Sequence, residues 1–116
     1  MNVIHHSMLP RRLAEGCSLQ TVADAALCHA PFEIQVQRLE PGSMSESTTA
    51  REARVVVALA GSGKLAVVDC GSQRFAAPCT LRIQPGACYQ FINDAAAAMQ
   101  LVTVFVPAGA ASGATS

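Results

Sequence analysis

The sequence predicts a small all-β sandwich or barrel, on three observations. Apolar and polar residues alternate with a period of two in short runs, Gly and Pro break those runs at close intervals, and no long stretch carries a helical period. At 116 residues the chain has length for one core and not two. About half of its residues are apolar, yet Trp is absent and Tyr occurs once. The core is therefore built from Val, Leu, Ile and Ala, which pack well between strands.

Taken in order, residues 1–31 read as an N-terminal arm, with a short strand or helix packing on the barrel. Ser18 to Ala26 resembles the first helix of a helix-turn-helix, but Pro31 and a strand pattern follow it, so no second helix is supplied. The barrel is expected over residues 32–107. Phe32, Ile34 and Val36 alternate with Glu33, Gln35 and Gln37, which marks a half-buried strand ended by Pro41-Gly42. After a polar loop rich in Ser and Thr, Arg54 to Ala60 reads as a strand. Gly61-Ser62-Gly63 reads as a hairpin turn, Lys64 to Asp69 as the next strand and Cys70-Gly71 as another turn. Shorter strands fit Gln73 to Ala76, Thr80 to Gln84 and Tyr89 to Asn93, with Pro85-Gly86 between the last two, and Met99 to Val106 closes the set. Residues 108–116 are small and polar and predicted to be disordered.

Two of these strands differ from the rest. Val55-Val56-Val57-Ala58-Leu59 and Leu101-Val102-Thr103-Val104-Phe105-Val106 are apolar on both faces. One face serves the barrel core, and the other needs separate cover. In so short a chain a second copy is the natural source, so a homodimer is expected.

Composition excludes several classes. Net charge is zero, and Arg11-Arg12 is too short to form a basic patch, so neither nucleic acid nor an anionic membrane is an expected partner. The longest apolar run, Val55 to Gly61, is about a third of the roughly 20 residues a spanning helix needs. The N-terminus lacks a charged start followed by an apolar stretch, so a secretory signal is not expected. The five cysteines are odd in number, and none forms a CxxC pair. They read as reduced thiols in a cytoplasmic protein.

The spacing of turn residues resembles the cupin family. Its first motif runs Gly, five residues, His-x-His, three or four residues, Glu, six residues, Gly. Here Gly42 and Gly61 fill the glycine positions, while Thr48 and Ala50 stand where the histidines would be and Arg54 where the glutamate would be. In the second motif Gly86 and Asn93 match, and Tyr89 stands in the histidine position. Pro78 and Gln84 replace that motif's first Gly and its Pro. The resemblance implies a cupin-type double-stranded β-helix over residues 32–107. It also implies that all four usual metal-binding side chains are replaced. Thr is a poor ligand, Ala offers no lone pair, Tyr binds mainly as phenolate, and a permanent Arg cation repels a divalent metal. No metal or cofactor is expected. His5, His6 and His29 are scattered and read as solvated or edge histidines, and adjacent histidines on an extended strand diverge.

Alternation then assigns the interior. With Arg54 inward as its family counterpart is, Val56 and Ala58 follow, as do Tyr89, Phe91 and Asn93 on the second motif. Thr48, Ala50 and Glu52 share that parity. The expected ligand-binding set is Arg54, Tyr89, Thr48, Glu52, Val56 and Phe91. A buried Arg requires a partner. That partner is either Glu52 or Glu46 in an internal ion pair, or the carboxylate or phosphate of a ligand with Tyr89 donating a second hydrogen bond. Cys79 and Cys88 read as small buried fillers, and Gly61-Ser62-Gly63-Lys64 lacks Walker spacing. Three functions stay open. The first is a barrel that binds a small organic molecule, an anion where Arg54 meets it, in a non-catalytic or regulatory role. The second is a metal-independent isomerase, epimerase or cyclase using Tyr89 and Arg54, and the third a scaffold or accessory subunit with a filled barrel.

Overall fold

Ten strands carry the chain through two antiparallel sheets, in a computed structural model that describes residues 3–106. The predicted disordered tail lies outside those residues. The strands are β1 (Arg12–Ala14), β2 (Cys17–Ala23), β3 (Glu33–Leu39), β4 (Thr48–Thr49), β5 (Arg54–Ala60), β6 (Ser62–Val67), β7 (Gly71–Ala76), β8 (Cys79–Ile83), β9 (Cys88–Ile92) and β10 (Met99–Phe105). Six strands form one sheet in the order β1-β2-β3-β10-β5-β8, and four form the other in the order β4-β9-β6-β7. Leu39, Val56, Ala58, Leu65, Phe91, Met99 and Leu101 fill the space between them. No helix among the described residues is long and apolar enough to cross a membrane.

The N-terminal segment joins the sheet rather than lying beside it. Residues 17–23, which cover most of the Ser18–Ala26 stretch read above as helix-like, pair with β3 from Cys17↔Leu39 to Ala23↔Ile34, and β1 extends the sheet by one more strand. Thr21 and Val22 suit a pleated surface better than a helix. Among the described residues only 25–28 are α-helical, as the single turn α1 (Ala25–Cys28), capped where the Asp24 side chain accepts the Leu27 N–H at 2.8 Å. A 3-10 turn over His6–Met8 is tied to β2 by Gln20, whose Nε2 donates to the His6 carbonyl at 2.7 Å.

Two readings of the chain are corrected. Gly61-Ser62-Gly63 is not a hairpin turn. Gly61 alone, at φ +89°, marks the step from β5 in one sheet to β6 in the other, and the hairpin turn lies instead at residues 68–70. Ser62 and Gly63 already belong to β6, where a Cβ on Gly63 would overlap the Ile92 carbonyl oxygen and the Met99 methyl. Gly63→Ala is therefore expected to cost about 1–3 kcal/mol by overpacking, measured as a lower denaturation midpoint at unchanged slope.

The second correction concerns β3. Ile34 and Val36 face outward, whereas Gln35 and Gln37 share the inner face with buried Leu39 of the same strand and with Leu101 and Thr103 of β10. Ile34 and Val36 lie in register with Val104 and Val102 on β10, which pair in turn with Val55 and Val57 on β5. These six half-buried side chains form one stripe across three neighbouring strands on the outside of the sheet. Periodicity alone does not tell which face of a strand meets the core, and here the neighbours on β10 decide it.

Candidate functional site

Between the sheets, toward the β1–β2 hairpin, lies a cavity of about 200 Å³. Arg54, the first residue of β5, enters it with only 8% of its surface exposed. Its Nη1 donates to the Tyr89 hydroxyl at 2.6 Å, and its guanidinium carbon stands 4.5 Å from the centre of the Phe105 ring and 5.6 Å from that of Tyr89. Phe105 is the direct cross-strand neighbour of Arg54 on β10, so strand register holds the cation over the ring. Among the described residues no carboxylate forms an ion pair with Arg54, and its buried Nε has no hydrogen-bond partner. The Tyr89 oxygen accepts from Arg54, which leaves its own O–H free to donate.

Aromatic packing fixes the second side of the site. Tyr89 and Phe91 alternate on β9 and meet edge to face at 5.8 Å, and Phe75 on β7 meets Phe91 the same way at 6.0 Å. Thr48 on β4 pairs in register with Tyr89. The loop before it is anchored by Ser45, whose Oγ accepts the Phe91 N–H at 2.8 Å and whose carbonyl accepts from Gln90 Nε2 at 2.7 Å. Across the cavity stand Gln35, Gln37 and Cys17, with Arg12 of β1 near the sheet edge.

Of the six residues expected in a binding site, Arg54, Tyr89, Thr48 and Phe91 line this cavity, and Glu52 and Val56 do not. Val56 is fully buried in the core below it. Glu52 falls in a bend before β5, where Ala53 and Arg54 are both buried in succession, so strand parity does not carry back to residue 52. Neither Glu52 nor Glu46 pairs with Arg54, although Glu46 lines the cavity. Asn93 is fully buried but saturated by main chain. Its Nδ2 donates to the Leu39 and Ala97 carbonyls, and its Oδ1 accepts from the Ala95 N–H. It braces the 93–98 loop and leaves no group for a ligand. Phe105, Gln35, Gln37, Cys17 and Arg12 were not anticipated, because only long-range strand pairing brings them here.

His5, His6 and His29 are exposed. Among the described residues no group of three or more His, Cys, Asp or Glu side chains could hold a metal ion. At the surface Arg74 holds Asp94 through two hydrogen bonds of 2.8 and 3.1 Å, which keeps that carboxyl below its ordinary range.

No protein-family model matches the sequence, and no curated protein matches it significantly. Solved structures do match. A Cupin 2 conserved barrel domain protein from Salinispora arenicola superposes with a TM-score of 0.75 at 23% identity, over 99% of this chain and 95% of that one. The fold is a cupin barrel. The polyketide cyclase RemF from Streptomyces resistomycificus gives a TM-score of 0.76 at 14% identity, over 90% and 78% of the two chains. A sugar phosphate isomerase of the cupin superfamily from Silicibacter pomeroyi gives 0.72 at 21% identity, over 90% and 76%. The double-stranded β-helix implied by the spacing of Gly42, Gly61, Gly86 and Asn93 is thus the architecture of this cupin barrel as well.

Proposed function

We propose that this cupin barrel binds a small organic anion, a carboxylate or phosphate, in the cavity against Arg54 and Tyr89, and that it does so without a metal. One observation carries the reading: a buried guanidinium with no carboxylate partner and an unpaired Nε, beside an open cavity. An isolated buried charge is costly, and such a site gains from any anion that enters it. A cavity of this size has room for a small ligand, which favours a compact acid over a nucleotide. It also counts against a barrel that is merely filled. Calorimetric titration of the protein with small carboxylates and phosphates tests the reading, and micromolar to millimolar binding is expected.

A catalytic version rests on the same pair. The Tyr89 hydroxyl, fixed by Arg54, would be a general acid facing a bound anion. The similar folds of a polyketide cyclase and a sugar phosphate isomerase make a cyclase or isomerase the chemistry to assay first.

The donor set at the motif positions does not fit a divalent metal. Ala50 is buried without a ligating atom, and the Arg54 guanidinium is hydrogen-bonded to the Tyr89 phenol, another of the four replaced positions. Elemental analysis of untagged protein is expected to find no stoichiometric Fe, Mn, Ni or Zn. One metal per chain, lost on mutating a cavity residue, would overturn this.

The Ile34, Val36, Val55, Val57, Val102 and Val104 stripe leads us to propose a homodimer through the six-stranded sheet. Sedimentation equilibrium should give twice the chain mass at micromolar concentration. Val102→Lys, in the middle of the stripe, should shift the species to monomer, and a wild-type monomer would remove the proposal.

A further inference from the structure

Cys17 is the one cysteine among the described residues that lines the Arg54 cavity. It opens β2 and is half-buried, so small molecules reach it through the cavity. Gln37 Nε2 donates to its sulfur at 3.4 Å. Thiol chemistry runs through the thiolate, and this N–H is placed to hydrogen-bond a negative sulfur. Arg54, more than nine-tenths buried and with its Nε unpaired, lines the same cavity, as does a second guanidinium, Arg12. A thiol and a buried cation with an unpaired Nε thus line one cavity.

We propose that Cys17 is a covalent capture site for small electrophilic carboxylates, held for reaction by Arg54. The inference rests on carboxylate binding at Arg54 and adds to it the class of ligand. With an α,β-unsaturated carboxylate the sulfur attacks the β-carbon and an S–C bond forms. The π electron pair moves to the α-carbon, which takes up the proton released by the thiol. No oxidant or reductant is consumed.

Iodoacetate and iodoacetamide make the test, because they share a leaving group and a similar size but differ in charge. In both, the S–C bond forms as the C–I bond breaks, iodide leaves and the thiol proton passes to water. Site-resolved mass spectrometry of the full chain gives each cysteine's rate, with exposed Cys28 and Cys70 as internal references. The iodoacetate-to-iodoacetamide rate ratio at Cys17 is expected to exceed that of the references by about tenfold, the size of one charge-assisted contact. Arg54→Met should return it to the reference value, and unreactive propionate should slow Cys17 alone.

A Cys17 ratio equal to the references, or one that Arg54→Met leaves unchanged, overturns the proposal. If propionate binding by calorimetry still depends on Arg54 in that case, only the capture site falls. If it does not, the anion-binding reading falls with it. Should Arg54→Met fail to fold, propionate protection in the wild type decides. Selective protection of Cys17 supports capture, and none refutes it.

Discussion

Arg54→Met is expected to weaken binding of small carboxylates about ten- to a hundredfold while moving the melting temperature little. The lost interaction is a charge-assisted hydrogen bond to a largely buried guanidinium, worth about 1.5–3 kcal/mol. Methionine keeps much of the buried aliphatic volume but removes the guanidinium and with it the charge. Two stability terms then oppose each other. The Tyr89 hydrogen bond at 2.6 Å and the stacking at 4.5 Å are lost, the latter worth up to about 2 kcal/mol when desolvated. Against that, replacing a buried charge by an apolar side chain of similar volume is often neutral or stabilising by about 1–4 kcal/mol. With no carboxylate left stranded by the substitution, the sum stays near zero. Titration calorimetry beside melting curves checks both parts. A steep stability loss with carboxylate binding intact would show that Arg54 serves the fold and not a ligand.

Much of this site was legible because it depends on local rules. Gly42, Gly61, Gly86 and Pro85 mark the strand breaks, and alternation from Arg54 to Ala58 and from Tyr89 to Asn93 places those residues inward, as they are. Legibility ended where parity is interrupted or pairing is distant. The bend at residues 51–52 broke the inference from Arg54 back to Glu52. The outward turn of Ile34 and Val36 is set by β10, some 65 residues later in the chain. Phe105 reaches Arg54, and Cys17 reaches the cavity, only through sheet order, which no spacing of residues encodes. Gly63 misled for a related reason. A glycine in a strand can mean the close approach of another backbone as readily as a turn, and here it is the approach of β9.

Phe91→Ala should be the most destabilising single change in the barrel, at about 3–5 kcal/mol for a buried aromatic ring. Phe91 is 1% exposed and stands between Phe75 and Tyr89, edge to face with both. Those two contacts add about 0.5–1.5 kcal/mol each beyond burial. Total stability for a domain of this size is on the order of 5–15 kcal/mol, so the variant loses a large share and melts some 12 °C or more lower, at about 4–8 °C per kcal/mol. Phe91→Leu separates the contributions. It keeps most of the buried volume and loses the ring edges, and should fall roughly a third as far. Binding should suffer in both variants, for a reason distinct from Arg54→Met: Tyr89 loses the ring that sets its angle, so its hydroxyl no longer holds the Arg54 guanidinium toward the cavity. Denaturant midpoints at constant slope measure the stability part. A loss below about 1.5 kcal/mol for Phe91→Ala, less than full burial of such a ring implies, would mean that Phe91 is not packed between the sheets and that the cavity wall it forms is elsewhere.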